Sequence, residues 1–378
     1  MDFCIETKEL QRIVKLLGVT ARTNTTSFEG RVLIEAFENG NVVFTSIGSS
    51  TSITVSSKDN TVHTPGSEII LFGKVKSFVN ALHPWNGESG TKELSFVGDG
   101  DKELKVSVKT IHENGKKSSG KLQLRLLKDM SFRKPKPFGK PNFILNSNML
   151  KKAISNIIYS VDRNEARVFI QGINITFKNN DLLFVCTNGL TLSEYKVNNP
   201  GDLKEGVYIL KHEFVMGLRH ALGEETQIYF EIEGNDIRAQ FDNVCFYGKL
   251  VIGHDYPTYS PILDKFSNVI VVDKTALMDV LSPFMDLLNV EDNKRITFEL
   301  KDRNIRLYND EVSYDCDFNV DYDGEFVVDV NGDFLFQTID AIDDDSILIK
   351  FTDENNVVIF DSGNFENQKA LITPVRRR

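Results

Sequence analysis

The sequence predicts an α+β chain built from three tandem copies of one unit, each laying two helices on antiparallel strands. Three observations predict it. A strand followed by a polar residue and an amphipathic helix recurs three times, a second strand–helix pair follows each opening, and alternating strands fill the rest.

The first opening is Phe3-Cys4-Ile5, then Thr7, then Leu10, Ile13, Val14 and Leu17. The second is Phe143-Ile144-Leu145, then Ser147, then Leu150, Ala153, Ile154 and Ile157. The third is Val269-Ile270-Val271-Val272, then Lys274, then Leu277, Val280, Leu281 and Phe284. Each helix repeats apolar residues at i, i+3, i+4 and i+7, one stripe of a 3.6-residue period. Thr7 and Ser147 are the residue types that accept backbone N–H groups at a helix start, and the third copy lacks one at the matching place. The second helices are predicted over Lys74–Leu82, Glu213–Leu222 and Asp333–Ile342, ending alike in Ala-Leu, Ala-Leu and Ala-Ile. Runs such as Val32–Ala36, Val42–Phe44, Ile228–Ile232 and Ile347–Phe351 alternate in polarity as half-buried strands do, with turn residues at Asn39-Gly40-Asn41 and Lys178–Asp181 between them.

This organisation places units at 1–130, 143–265 and 266–378, with a linker at 131–142. The stretch Arg133-Lys134-Pro135-Lys136-Pro137-Phe138-Gly139-Lys140-Pro141 is Pro-rich and therefore extended and semi-rigid. A length of 378 residues fits two or three cores. With 41% hydrophobic and 26% charged residues the composition is globular. The start Met1–Glu6 has no basic segment leading into an apolar one, and no apolar run approaches a membrane span, so a cytoplasmic location is expected. Cys4, Cys186, Cys245 and Cys316 are far apart and lie among apolar residues, as buried free thiols do in a reducing compartment.

The net charge of −10 is unevenly spread. Residues 268–378 hold 11 Lys/Arg against 24 Asp/Glu, and the remainder hold 33 against 30. The first two thirds are thus free to present a basic face to a polyanion. Solvated surface is the ordinary reading of such charge.

Motifs for chemistry are missing. No phosphate-binding glycine loop, H-E-x-x-H helix or G-x-S-x-G turn occurs. The six histidines lack metal-ligand spacing, His212 and His220 being about two helical turns apart. The acidic runs Asp340–Asp345 and Asp315–Asp323 lack the glycine and terminal glutamate of a calcium loop, and solvated surface is the simpler reading. No catalytic residue, metal or cofactor is expected.

Several segments, in order and on this threefold repeat, resemble the bacterial DNA polymerase III β sliding clamp family over nearly the whole chain. Arg167–Gly172 followed by Leu183–Leu192 is similar to the family's R-x-x-L-x-G … V-A-T-D-G-H-R-L stretch. Gly253–Tyr259 is similar to its G-x-F-P-x-Y turn, Val330–Leu335 to its F-N-x-x-Y-L segment, and Ile372–Arg376 to its V-M-P-M-R-L terminus. The divergence is that of a remote bacterial or phage-encoded version, acting in a bacterial cell or an infected host.

The resemblance implies a DNA-clamp domain repeated three times, a head-to-tail homodimeric ring, and a processivity factor that is not an enzyme. Its implied partners are double-stranded DNA, held without sequence preference, and a DNA polymerase and clamp loader docking through short linear motifs. Helix cations would then face DNA: Lys8, Arg12, Lys15, Lys74, Lys76, Lys151, Lys152, Lys211, His212, Arg219 and His220. The implied peptide pocket comprises Ile170, Thr187, Leu190, Thr191, Leu192, Pro257, Leu371, Thr373 and Pro374. Leu190-Thr191 replaces the family's His-Arg, and Thr373 its terminal Met, which would shift peptide preference; the Arg376–Arg378 tail favours acidic flanks. Leu287 and Leu288 would meet Leu122 and Leu124 of a second copy, with core packing the alternative for all four. Helix acids in the third unit, among them Asp279, Asp286, Asp333, Asp340 and Asp343, would repel phosphate. Two other readings stand beside this one: a DNA-tracking platform serving mainly transcription or repair, and a metal-dependent enzyme of repeated α+β domains.

Overall fold

A computed structural model describes residues 1–23, 27–81, 93–99, 102–111, 117–127, 132–178, 181–198, 205–288, 294–310, 313–316, 318–363 and 367–375. The first run of elements is β1 (Asp2–Glu6), α1 (Thr7–Leu17), β2 (Arg31–Ala36), β3 (Val42–Ile47), β4 (Thr51–Ser57), β5 (Thr61–Thr64) and β6 (Gly66–Leu71). It ends with α2 (Phe72–Ala81), β7 (Glu93–Gly98), β8 (Glu103–Ile111) and β9 (Lys117–Arg125). The second is β10 (Phe143–Asn146), α3 (Ser147–Ile157), β11 (Gly172–Lys178), β12 (Asp181–Thr187) and β13 (Thr191–Asn198). It closes with β14 (Gly206–Lys211), α4 (His212–Ala221), β15 (Gln227–Glu233), β16 (Asp236–Phe241) and β17 (Val244–Val251). After a short α5 (Ser260–Leu263), the third is β18 (Asn268–Asp273), α6 (Lys274–Leu288), β19 (Arg295–Lys301), β20 (Asn304–Tyr308) and β21 (Ser313–Cys316). Its second half is β22 (Phe326–Asn331), α7 (Gly332–Ala341), β23 (Ser346–Phe351), β24 (Val358–Ser362) and β25 (Gln368–Ile372). The order strand, helix, strands, strand, helix, three strands recurs three times.

Close packing divides the chain into two compact units, Met1–Ser147 with Glu213–Lys249, and Asn148–His212 with Leu250–Arg378. In the first, β1 lies between β5 and β7, and β7, β8 and β9 continue that sheet. Phe3 of β1 stacks on Phe96 of β7 with ring centroids 4.7 Å apart, and Phe143 stacks on Phe230 at 4.6 Å. The unit's other sheet runs from β6 through β2, β3 and β4 to β17, β16, β15 and β10. Helices α1 and α2 pack together. Gly217 of α4 is needed where Phe246 approaches, since a Cβ there would lie 2.6 Å from its ring.

In the second unit β11 pairs with β12 and β14, β12 with β13, β13 with β25, and β25, β24, β23 and β18 follow in turn. A four-stranded sheet holds β21, β20, β19 and β22 in that order. Its core is Leu277, Leu281 and Phe284 of α6 and Leu335 and Ile339 of α7 against strand residues such as Ile296, Phe298 and Ile349. The apolar stripes read from the sequence thus face inward.

Helix starts differ from expectation. Thr7 is the first helical residue and buried, and Glu6 precedes it without a side-chain cap. Ser147 likewise begins α3, and its hydroxyl accepts the Thr226 N–H at 2.9 Å. The third copy does carry a cap, one position earlier than sought: Asp273 accepts the Ala276 N–H at 2.7 Å. The second helices begin one to two residues before the predicted starts, at Phe72, His212 and Gly332, and Asn331 caps the last through the Phe334 N–H at 3.2 Å. Cys4, Cys186 and Cys245 are free thiols, Cys186 fully buried and the other two half-buried. Among the described residues no helix is long and apolar enough to cross a membrane.

Candidate peptide pocket and cationic helices

Strand β13 joins β25 edge to edge, Leu192 opposite Leu371. Behind that pair Val185, Leu192, Leu263, Ile359 and Leu371 form a small core of their own, with Leu183, Tyr256, Tyr259 and Val357 packed against it. The turn between β12 and β13 is held rigid. Thr187 Oγ1 donates to the Thr191 carbonyl at 2.6 Å, and Asn188 Oδ1 accepts the N–H groups of Leu190 and Thr191 at 2.8 and 2.7 Å. Gly189 sits at φ +87°, a left-handed conformation costly for a side-chain-bearing residue, and a Cβ there would lie 2.8 Å from the Arg167 guanidinium. Thr373 fastens the far side, its N–H and hydroxyl both donating to the Leu190 carbonyl at 2.8 and 3.0 Å.

This turn leaves Leu190 54% exposed although its backbone is fully engaged. Val168, Ile252, Ile262 and Val375 are also exposed, on segments flanking the cluster. Exposed large apolar groups on rigid backbone are what a docking surface needs.

Tyr259 donates to Glu194 Oε2 at 2.6 Å beside the cluster. Burial pushes the Glu194 carboxyl above the usual carboxylate range, partly opposed by the Tyr259 hydrogen bond. A carboxyl whose folded-state pKa is raised takes up protons more readily folded than unfolded, so its stability contribution is complete below the unfolded pKa and is lost as pH rises through the folded one. Glu194→Gln is therefore expected to raise the melting temperature at pH 8 by roughly 1–3 °C. The gain should vanish at pH 4, as melts at both values would show; a gain that persists at pH 4 contradicts the desolvation account.

The expected pocket residues separate into floor and rim. Ile170, Thr191, Leu192 and Leu371 are buried and lie beneath the exposed members of the implied pocket. Leu190 and Pro257 are exposed, and Thr187, Thr373 and Pro374 half-buried. Tyr256, Tyr259, Leu263, Val185 and Ile359 were not anticipated in the site. Nothing local marks Val185 or Ile359, whereas the two tyrosines lie inside the Gly253–Tyr259 segment. Arg167 was also passed over, and it forms a bidentate pair with Glu165 at 2.9 and 3.1 Å.

Of the helix cations, Lys8, Arg12 and Lys15 are exposed on α1 and Lys74 on α2. Arg12 is paired with Glu9 at 2.8 Å. Lys76 is half-buried, its ammonium 5.9 Å from the Phe72 ring centre. On α3 Lys151 is half-buried, and exposed Lys152 forms an ion pair with Asp343. Lys211 and Arg219 are half-buried, while His220 is exposed and hydrogen-bonded through Nδ1 to the Met216 carbonyl at 2.6 Å. His212 departs from the expectation: at 6% exposure it is an interior side chain, at the first position of α4 and one turn before buried Val215. Leu124 departs too, being only 2% exposed within its own unit, while Leu122 beside it is half-buried. The side chains of Leu287 and Leu288 and the tail 376–378 lie outside the described residues.

Of the acidic runs that raised a metal reading, Asp321, Asp323 and Asp344 have partners, as does Asp333 of α7, while Asp317 and the Asp315 side chain lie outside the described residues. Asp321 and Asp323 face Arg303 at 3.3 and 3.7 Å, Asp344 accepts the Ser346 N–H at 3.1 Å, and Asp333 pairs with Lys294 at 2.6 Å. Asp279 and Asp286 of α6, Asp340 of α7 and Asp343 just beyond it are exposed.

Residues 144–258 match the family model for the central domain of the DNA polymerase III beta subunit. A beta sliding clamp from Mycoplasma capricolum is 22% identical over 242 residues, covering 61% of this chain and 64% of its own length, less than two thirds of that relative. One from Chlamydia muridarum is 24% identical over 276 residues, covering 71% of this chain and 69% of its own. The fold matches that of a solved DNA polymerase sliding clamp from Bacillus subtilis with TM-score 0.87, 18% identity and full coverage of both chains. It matches the DNA polymerase III subunit beta of Pseudomonas aeruginosa equally completely, with TM-score 0.86 and 16% identity.

Proposed function

We propose that this chain, which belongs to the bacterial DNA polymerase III β sliding clamp family, closes with a second copy into a ring around duplex DNA and holds a polymerase there through its peptide pocket. The observation that carries the reading is a rule of strand pairing. The third large strand of repeat one, β4, pairs with the last strand of repeat two, β17. The corresponding strand of repeat two, β13, pairs with the last strand of repeat three, β25. The next pair in the series joins β21 of repeat three to the last strand of repeat one, β9. Both are sheet edges. An unused edge at each end of a head-to-tail series is what a second copy can satisfy, and repeated use of such a heterologous contact closes a ring when its rotation permits. The chain divides on this reading into domains 1–130, 143–265 and 266–378, with a linker at 131–142. On this reading β9 is a contact element through its edge and half-buried Leu122, with Leu124 supporting it from within.

The exposed cations of α1, α2 and α3 meet phosphates in the ring, neutralising charge without reading bases. A ring needs no catalytic group: it converts repeated polymerase encounters into an intramolecular one at high effective concentration. Apolar Leu190 and its neighbours receive the client's linear motif, and loading requires a partner that opens the ring. After loading, the protein is expected to stay on nicked circular duplex and to leave when the circle is cut once; size exclusion at high salt measures both. Equal retention on circle and linear DNA defeats topological binding. Loss of the circle signal on introducing charge at Leu122 would tie closure to β9.

A further inference from the structure

The junction of β4 with β17 has the same register as that of β13 with β25. Ile47 pairs with Ser52 across a turn closed by the Gly48 N–H to the Thr51 carbonyl at 2.7 Å, as Thr187 pairs with Leu192 across one closed from Asn188 to Thr191 at 3.3 Å. Ser52 then faces Tyr247 where Leu192 faces Leu371, and Arg238 is paired with Tyr247 where Ile359 is paired with Leu371. The second junction thus reproduces the backbone of the peptide pocket while its floor changes from Leu192, Leu371 and Ile359 to Ser52, Tyr247 and Arg238.

At this place there is a cleft of about 420 Å³, walled by the Ile47–Ser52 turn, the start of the basic linker and the β16–β17 hairpin. Five cationic side chains line it, Arg133, Lys134, Lys136, Arg238 and Lys249, against the single carboxylate of Asp236. Arg238 is 2% exposed and held by Glu231 at 2.9 Å and Glu233 at 3.0 Å. Lys134 pairs with Glu35, Lys249 with Asp236, and Lys136 more distantly with Glu233 at 3.6 Å. Both partners of the Lys136–Glu233 pair are more than half exposed, so it is screened and exchanges readily with an incoming anion, while Lys134 and Lys249 keep exposed ammonium groups beside the more buried Glu35 and Asp236. Exposed Arg133 has no ion pair among the described residues.

We propose that this cleft is a second peptide-docking site, selective for a short extended segment bearing acidic side chains, in contrast to the apolar anchor taken by the site around Leu190. The proposal takes the peptide-pocket reading as its starting point. The occupant follows from the repeat, which supplies a peptide-shaped junction, and from the lining, which exchanges apolar floor for hydroxyls and cations. A cleft of this volume holds a few side chains and not a folded domain.

The test uses a fluorescein-labelled octapeptide of alternating Asp and Leu, titrated by fluorescence anisotropy against full-length protein carrying Leu190→Asp, which blocks the apolar site. Saturable binding that weakens with salt is expected. Arg133→Glu with Lys136→Glu should weaken it roughly tenfold or more. The charge-matched Lys178→Glu with Lys301→Glu should leave it unchanged. Absence of saturable binding, an equal loss in the control, or displacement by inorganic phosphate or a single-stranded oligonucleotide at lower concentration than by unlabelled peptide overturns the proposal. Retention of the Arg133→Glu, Lys136→Glu protein on nicked circles is scored separately, so a failed second site and a failed clamp give different results.

Discussion

Leu190→Asp is expected to abolish capture of client peptides and of the polymerase while leaving the fold intact. Leu190 contributes little to stability through its side chain because more than half of it is in water, and the turn beneath it is fixed by the backbone bonds to Asn188 and Thr373. Surface changes of this kind alter stability by about 0.5 kcal/mol or less. A charge at the centre of an apolar contact, by contrast, must be desolvated without a partner, and affinity should fall by roughly a factor of thirty or more. Leu192→Ala and Leu371→Ala act in the opposite sense. Both residues are buried in the cluster with Val185, Leu263 and Ile359, and removing either should cost about 2–5 kcal/mol of stability through lost contacts and a cavity. Peptide titration and a thermal melt on the three variants separate rim from floor. If Leu190→Asp bound peptides normally, the docking surface would lie elsewhere.

Lys8→Glu with Lys15→Glu and Lys74→Glu is expected to weaken DNA association by orders of magnitude at low salt. All three side chains are exposed on the packed α1–α2 pair. Each phosphate contact removed should reduce the slope of log affinity against log salt by about 0.9. Asp343→Asn has the reverse expectation. Asp343 pairs with the half-exposed Lys152 of α3, and removing its charge leaves that cation unpaired while subtracting an anion from the acidic third repeat. Affinity for a duplex should rise modestly and its salt dependence steepen. Filter binding of a short duplex across a salt series measures both variants. An unchanged slope in the triple variant means that these helices face away from DNA.

The repeat was legible because helical and strand periods differ, and an apolar stripe at i, i+3, i+4 and i+7 survives sequence divergence that erases individual identities. Val330–Leu335 and Gly253–Tyr259 marked a family for a related reason: turns and helix starts constrain residue type through backbone conformation. The cap of α6 was missed because a cap can shift by one residue without disturbing the stripe, and Asp273 does so. His212 was misread because it is the first residue of α4, one turn before buried Val215, and shares that inward side of the helix.

By itself the sequence determined the α+β class, the threefold series, the inward stripe of each helix and the absence of a recognisable catalytic motif. These properties depend on residues close together along the chain, where the period and the turn chemistry are local. Only the tertiary structure decided that β4 meets β17 and β13 meets β25, that Lys152 pairs with Asp343, and that Leu192 is buried while Leu190 is exposed. Such facts depend on which distant strands pair and in what register, and a shift of one residue in a strand moves every side chain to its other face.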